Sequence, residues 1–151
     1  MIEKYCDGVV PIGDRTPLDA SDEAEVRAYH EAMNGENGYL LHQGLDAVMR
    51  SVKSGNEFIQ SSQPWTMAKD PARRAELEAT MATLARHLAR HAIQLFPFMP
   101  EKAAALWMAL GAPGKLDDQR FSAISALDAT GWKVAKGEPL FPRAEKVPIS
   151  G

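Results

Sequence analysis

Apolar residues recur at steps of three and four along most of the chain, the spacing that places them on one face of an α-helix. Four segments show this spacing, separated by proline, glycine and capping residues. Long stretches in which apolar and polar residues alternate, as strands require, are not found. The pattern predicts an all-α protein: an antiparallel bundle of four to five helices with short connections, followed by an extended C-terminal tail.

The first helix is predicted to begin at Thr16, a capping residue, because Pro17 then stands at the first helical position. An Asn-Gly pair ends it after Met33. Residues 1–15 contain glycine and proline at short intervals and are predicted to form an irregular lead-in.

The second helical pattern runs from Tyr39 to Gln63 and contains Gly44 and Gly55 in its interior. Each glycine costs about 1 kcal/mol relative to alanine in a helix, so close contact with a neighbouring helix is expected at both. The apolar stripe predicted to face the core consists of Leu41, Leu45, Val48, Val52 and Ile59.

The third helix is predicted to begin at Asp70-Pro71 and to end at the proline-rich segment 96–100. Its apolar stripe is Leu77, Met81, Leu84, Leu88 and Leu95. A shorter helix follows from Glu101 to Leu110, which completes a helical core over residues 16–111. Residues 112–151 are predicted to add a short helix near 118–127 and an extended tail on the bundle, all within one domain.

Three motifs stand in order along this pattern. The first, over residues 56–69, contains Asn56, then Pro64-Trp65, then Ala68-Lys69. The second is Phe96-Pro97-Phe98-Met99-Pro100, and the third is Leu140-Phe141-Pro142-Arg143. Together they resemble the C-terminal, anticodon-binding half of methionyl-tRNA synthetases over nearly the whole chain.

The resemblance implies a helical bundle that binds the anticodon stem and loop of methionine-accepting tRNA. In the family, the tryptophan of the Pro-Trp motif stacks near the first anticodon base, a cytosine; here that residue is Trp65. An indole face can stack on an unpaired base with about 1–3 kcal/mol, and Pro64 would hold Trp65 at a helix corner. Asn56 and Lys69 are the supporting candidates. The alternative is that Trp65 packs in the core, as most tryptophans do.

The same resemblance implies that the chain does not aminoacylate tRNA by itself. It contains neither the His-x-Gly-His nor the Lys-Met-Ser-Lys-Ser motif, and no cysteine pairs for the family's zinc knuckle. ATP and zinc would belong to the parent enzyme's catalytic half, which is an expected partner, and no cofactor is expected in this chain. The family's two cytosine-reading residues, an Asn and an Arg on a preceding helix, have no counterpart in this sequence.

Charge is unevenly distributed: residues 1–36 carry nine acids and three bases, whereas the remainder carries eleven acids and fourteen bases. A basic set of residues lies off the apolar stripe of the third helix or just before it: Lys69, Arg73, Arg74, Arg86 and Arg90. These cations would contact phosphates of the anticodon stem, or form a solvated face partly paired with Glu76 and Glu78. The sequence leaves both interpretations open.

Two histidines, His87 and His91, are four residues apart on the third helix, a spacing that can hold a metal ion. No third ligand is evident in the sequence, so we interpret them as hydrogen-bonded core histidines and predict no metal site. Cys6, the single cysteine, shows no patterned activating partner and is not a candidate nucleophile. Several residues are predicted to serve structure only: Phe98, Trp107, Trp132, Phe141 and Arg143. Of these, Phe141 is predicted to be buried where the tail folds back on the bundle, and Arg143 to fix the tail.

A second functional hypothesis is a free-standing helical module that binds another protein through an exposed apolar groove. A third, a metal-dependent hydrolase, would depend on the histidine pair alone. An exposed stripe on the second helix would also favour weak self-association. The apolar segments are too short to span a bilayer and the N-terminus does not resemble a signal peptide, so no membrane partner and a cytoplasmic location are expected.

Overall fold

Helices account for almost all regular structure in the computed structural model, which describes residues 1–142. The α-helices are α1 (Ile2–Tyr5), α2 (Pro17–Met33), α3 (Leu41–Ser62), α4 (Pro64–Met67), α5 (Arg74–Leu95) and α6 (Pro100–Ala109). Short 3-10 helices cover Gly35–Asn37, Pro71–Arg73, Leu116–Asp118 and Phe121–Ala126. Extended pairing within residues 1–142 is limited to one isolated bridge, between Val9 and Lys133. The predicted all-α class is confirmed.

Helix starts follow the local signals in the sequence. The helix α2 begins at Pro17, and the Asp19 carboxylate accepts a hydrogen bond from the backbone N–H of Thr16 at 3.1 Å. Before α5, the Asp70 carboxylate accepts from the backbone N–H of Ala72 at 3.0 Å. Proline also occupies the first position of α6. These capping interactions satisfy N–H groups that a helix start leaves without partners.

The helix α5 is the centre of the bundle, and α2, α3, α4 and α6 all pack against it. From Thr80 to Gln94, every residue is buried except half-buried Ile93 and Leu88, which is 40% exposed. The predicted apolar stripe is therefore confirmed at its N-terminal end but wrong at Leu88. A single stripe describes a helix that faces the core on one side, whereas α5 is covered on nearly all sides.

Two arginines of α5, Arg86 and Arg90, are buried in the core, so the prediction that they belong to a surface basic set is wrong. Arg86 donates two hydrogen bonds to the Asp19 carboxylate, both at 2.9 Å. Arg90 lies 3.2 Å from both the Asp19 and the Asp22 carboxylates. Both aspartates come from α2 and are also buried, so each guanidinium exchanges solvent for paired carboxylates. Arg90 does so through Nη1 alone, since its Nε and Nη2 are buried without a hydrogen-bond partner.

The buried face of α3 consists mainly of small residues rather than the predicted apolar stripe: Gly44, Ala47, Val48, Ser51 and Gly55. Leu41 is 53% exposed, and Leu45, Val52 and Ile59 are only half-buried. The reason is close helix packing: a Cβ on Gly44 would lie 2.8 Å from Sδ of Met33, and one on Gly55 would overlap the His87 ring. The predicted role of the two glycines is thus confirmed, although the stripe is rotated.

The C-terminal segment lies on the bundle as predicted, through residue 142. It pairs with the lead-in, where the Val10 N–H donates to the Trp132 carbonyl at 2.9 Å. The Trp132 indole packs edge-on against the buried Trp107, with ring centroids 5.4 Å apart. Two 3-10 helices, Leu116–Asp118 and Phe121–Ala126, stand where one short helix was predicted.

Two smaller predictions at the chain ends are wrong. The lead-in contains the short helix α1, which carries the buried Cys6 at its C-terminal end. Phe141, predicted to be buried, is 69% exposed, and its ring lies near the Lys102 ammonium. The prediction for Arg143 lies outside the described residues. No helix within residues 1–142 combines the length and apolar character needed to cross a membrane.

The contact between Gly55 and His87 predicts the effect of one added methyl group. We expect Gly55→Ala to lower the free energy of unfolding by about 1–3 kcal/mol, because the new Cβ overlaps a ring held in the core. Helix propensity alone predicts the opposite result, because alanine is more favourable than glycine in a helix by about 1 kcal/mol. Urea denaturation measures it. As a matched control, Gly137→Ala meets only an ordinary contact at 3.9 Å and should change stability little; unchanged stability of Gly55→Ala would refute close packing.

Candidate nucleic-acid interface

The corner between α3 and α4 is set by a single residue, Gln63, which has left-handed backbone angles (φ 48°, ψ 62°). Its N–H donates to the Ile59 carbonyl at 3.1 Å, closing α3. Its carbonyl accepts from the Thr66 N–H at 2.8 Å, opening α4. The chain therefore changes direction at Gln63, and Pro64 follows as the first residue of α4.

The short helix α4 points its tryptophan outward because its first and last residues are the buried ones. Pro64 and Met67 are both in contact with the interior, and the Thr80 hydroxyl of α5 lies 3.9 Å from the Met67 sulfur. Between them, Trp65 is 41% exposed. The indole is thus accessible from solvent while its backbone is anchored on α5, which is the condition that stacking on an external base requires.

The other predicted site residues fall into two groups. Asn56 and Lys69 are exposed, Lys69 just beyond α4 and Asn56 two helical turns before the corner, roughly 10 Å along α3. Arg73 and Arg74 form ion pairs with Glu76 and Glu78 at 2.7 Å, as the solvated-face interpretation predicts. The structure therefore brings Pro64, Trp65 and Lys69 together at one corner, with the two arginines at the start of the next helix.

A shallow groove of about 190 Å³ lies between α3 and α5. It is lined largely by apolar side chains, including Val52, Ile59 and Leu88, with Asn56 at its edge. The exposed part of Leu88 belongs to this groove, which explains why one apolar residue of α5 is not covered.

The two histidines of α5 form a buried hydrogen-bonded cluster with partners from α2 and α3. Nδ1 of His87 lies 2.8 Å from the Asp22 carboxylate, and Ser51 donates to the same carboxylate at 2.7 Å. Because a carboxylate only accepts, the Ser51 proton is used there, and the N–H at Nε2 of His91 donates to Ser51 at 2.8 Å. The sequence interpretation of hydrogen-bonded core histidines agrees with this arrangement.

The cluster also supplies the third potential metal ligand that sequence spacing could not show. Ligand atoms of Asp22, His87 and His91 lie within 4.8 Å of one another. However, the Arg90 guanidinium lies 3.2 Å from Asp22, so a cation bound there would meet a fixed positive charge. The geometry therefore serves helix packing better than metal binding.

Burial shifts the protonation equilibria of this cluster. Desolvation, together with the neighbouring His87, lowers the pKa of His91 from its ordinary 6.5 to about 3, so its imidazole is neutral. For Asp22, burial alone would raise the pKa, but hydrogen bonds from His87 and Ser51 outweigh it and the pKa is lowered. The pKa of Asp19 is lowered in the same way, against burial, by hydrogen bonds led by that from Arg86.

The fold of the bundle is similar to that of part of a solved aminoacyl-tRNA synthetase. It superimposes on methionyl-tRNA synthetase of Mycobacterium tuberculosis in complex with methionyl-adenylate with a TM-score of 0.80 and 25% identity, covering 95% of this chain and 28% of that one. The apo form of the same enzyme gives a TM-score of 0.78 and 25% identity, covering 96% and 30%.

The family model for the anticodon binding domain of methionyl tRNA ligase matches residues 13–147. The chain is 34% identical to the methionine–tRNA ligase of Halalkalibacterium halodurans and 33% identical to that of Bacillus subtilis, in each case over 96% of this chain and 22% of the relative. The chain therefore belongs to the anticodon-binding domain family of methionyl-tRNA ligases, which confirms the resemblance in the sequence. It spans about a fifth of the length of these curated relatives.

The buried cluster predicts that acid destabilises the fold. Unfolded His91 binds a proton between about pH 6.5 and 3 that the folded state excludes, so the free energy of unfolding should fall as pH is lowered through this window, by up to about 1.4 kcal/mol per pH unit. The depressed pKa values of Asp19 and Asp22 add a further loss below about pH 4.

Urea denaturation between pH 7.5 and 5 tests the histidine contribution. His91→Gln keeps a donor for Ser51 but cannot titrate, so its stability should depend less on pH than that of the parent. The control, His42→Gln, changes an exposed histidine and should keep the parent's pH dependence. Identical slopes for His91→Gln and the parent would contradict the assignment.

Proposed function

We propose that this chain binds the anticodon arm of methionine-accepting tRNA and that Trp65 stacks on the first anticodon base. The observation that carries the proposal is the 41% exposure of an indole on a short helix whose first and last residues, Pro64 and Met67, are buried. Bases of an anticodon loop are already unpaired, so an aromatic face on a fixed backbone can stack on one at little cost in RNA structure. Asn56, on the same side of α3 as the groove, is the supporting polar contact.

Phosphate contacts would come from the cations beside this corner, namely Lys69, Arg73 and Arg74. The two arginines are paired with glutamates on the surface, and such exposed ion pairs contribute about 0–1 kcal/mol. A phosphate could therefore replace a glutamate at small cost. Such contacts would add affinity that falls steeply with salt but carry no base specificity.

In the complete ligase, the domain would act by orientation rather than by chemistry. Holding the anticodon arm would position the distant acceptor end in the catalytic half, where ATP, methionine and tRNA are consumed and where zinc would also be bound. The chain would thereby support methionine–tRNA ligation in the cytoplasm without carrying out a bond-forming step itself.

The test is the affinity for methionine-accepting tRNA and for a tRNA with a different anticodon, measured at two salt concentrations. We expect the parent to prefer the methionine acceptor at both. Trp65→Ala should weaken that binding by about 1–3 kcal/mol, whereas Trp65→Phe should retain most of it, because a phenyl ring still stacks. The matched control, Met108→Ala, removes an exposed apolar residue of α6 and should bind as the parent does.

Two results would overturn the proposal. Equal affinity of the parent for both tRNAs would leave only phosphate attraction. If Trp65→Ala binds the methionine acceptor as tightly as the parent does, the indole does not contact the RNA.

We further propose weak self-association through the face shared by α3 and α5. Leu41 and Met49 of α3 and Leu88 of α5 remain exposed, and of the predicted stripe only Val48 is fully buried. The average mass in sedimentation equilibrium should rise with concentration, and Leu88→Lys should suppress the rise, because it places a charge in the apolar groove. Met108→Lys adds the same charge to α6 and should not. A monomer at all concentrations would contradict this proposal.

A further inference from the structure

Gln63 retains a long side chain at a position where its backbone favours glycine. Among residues 1–142, only Asp7, Tyr39 and Gln63 combine a positive φ with a side chain. The left-handed region brings Cβ close to the backbone, and only glycine enters it without that penalty. Strained backbone conformations cluster at ligand-binding sites, and this one stands next to a proposed binding residue.

The backbone hydrogen bonds of Gln63 fix where its side chain leaves the corner. The N–H donates to the Ile59 carbonyl, and the carbonyl accepts from the N–H groups of Thr66 (2.8 Å) and Met67 (3.3 Å). Since Pro64 and Met67 are buried against the core, this turn cannot rotate freely. The Cβ of Gln63 therefore has a fixed position two residues before Trp65.

The amide group of Gln63 is exposed two residues before Trp65 and retains free hydrogen-bonding capacity. The Thr66 hydroxyl donates to Oε1 at 3.5 Å, the long end of the hydrogen-bonding range. The amide oxygen has a second lone pair, and Nε2 carries two N–H groups. Within residues 1–142, Nε2 makes no hydrogen bond in the structure. One exposed side chain next to the Trp65 corner thus offers both an acceptor and a donor, with its oxygen directed towards Thr66, the residue that follows Trp65.

We propose that Gln63 hydrogen-bonds to the edge of the base stacked on Trp65 and makes this site prefer cytosine. The inference depends on the proposed function, because it needs a base on the indole. Stacking alone tolerates any base, since every base has a π-face. Cytosine presents an amino donor next to a ring-nitrogen acceptor, which an amide oxygen and N–H complement. Uracil presents the opposite order at the same two atoms, so an amide held in one orientation would oppose it.

The experiment measures the affinity of the full chain for two anticodon stem-loop RNAs that differ only in cytosine or uracil as the first anticodon base. Gln63→Gly relieves the backbone and removes the amide, so it should fold with a Tm close to that of the parent but lose about two- to tenfold of the cytosine preference. A residue with a purely structural role would change Tm rather than the ratio of the two affinities. Gln63→Glu replaces the donor with a second acceptor and should also lose the preference.

Each variant has a matched control. Tyr39→Gly removes a side chain at another left-handed residue, remote in sequence from the corner, and should keep the preference. Gln60→Glu adds the same charge as Gln63→Glu at an exposed position one turn earlier, and should weaken both affinities equally without changing their ratio.

The outcomes separate the two proposals. If the parent does not bind either stem-loop, or Trp65→Ala binds as well as the parent, the proposed function fails. If Trp65→Ala loses binding but Gln63→Gly keeps the whole cytosine preference, only the role of Gln63 is overturned. A parent that does not distinguish the two RNAs would also overturn it.

Discussion

The paired charges between α2 and α5 are the interaction on which the bundle depends. Asp19 and Asp22 face Arg86 and Arg90 in the interior, where removing one partner would leave a buried charge and cost about 3–5 kcal/mol. Apolar contacts tolerate sliding of one helix along another, but these hydrogen bonds are satisfied in one register only. His87 and Ser51 extend the network to α3, so the three longest helices are held in one arrangement by one polar cluster.

The proposed RNA-binding corner depends on that arrangement without touching the cluster. Met67 packs with Leu77 and Met81 of α5, and this contact holds α4 against the central helix. A shift of α5 would therefore move the base of the corner and change the direction of the indole. The polar cluster fixes the position of α5, and apolar contacts with α5 fix the position of α4. The exposed indole of Trp65 is thereby held in one direction. The stabilising cluster and the proposed recognition site are thus separated in space, but both depend on α5.

The sequence predicts best those features that depend on local chemistry. Pro17 and Pro100 mark helix starts because proline suits only that position, and Pro64 marks the corner for the same reason. The sequence predicts burial less well, because burial depends on which side chains of other helices lie opposite a residue. The sequence pattern predicts Arg86 and Arg90 at the surface, because it does not show that Asp19 and Asp22 lie opposite them in the fold. Likewise, the buried face of α3 contains glycines, which an apolar periodicity does not detect. The left-handed backbone of Gln63 has no local sequence signal at all, since glutamine is not a residue that favours it.

The single cysteine lies in the same apolar cluster that supports the corner. Cys6 is buried among Leu18, Met67 and Leu77, and burial raises its pKa, so the thiol is protonated and shielded from reagents at neutral pH. Because Cys6 is only 7% exposed, a reagent reaches the sulfur through local opening of this cluster. The reaction rate of this thiol therefore measures local opening of the cluster that contains Met67 of α4. A natural side chain can thus monitor motion at the corner without a label on the surface proposed to bind RNA.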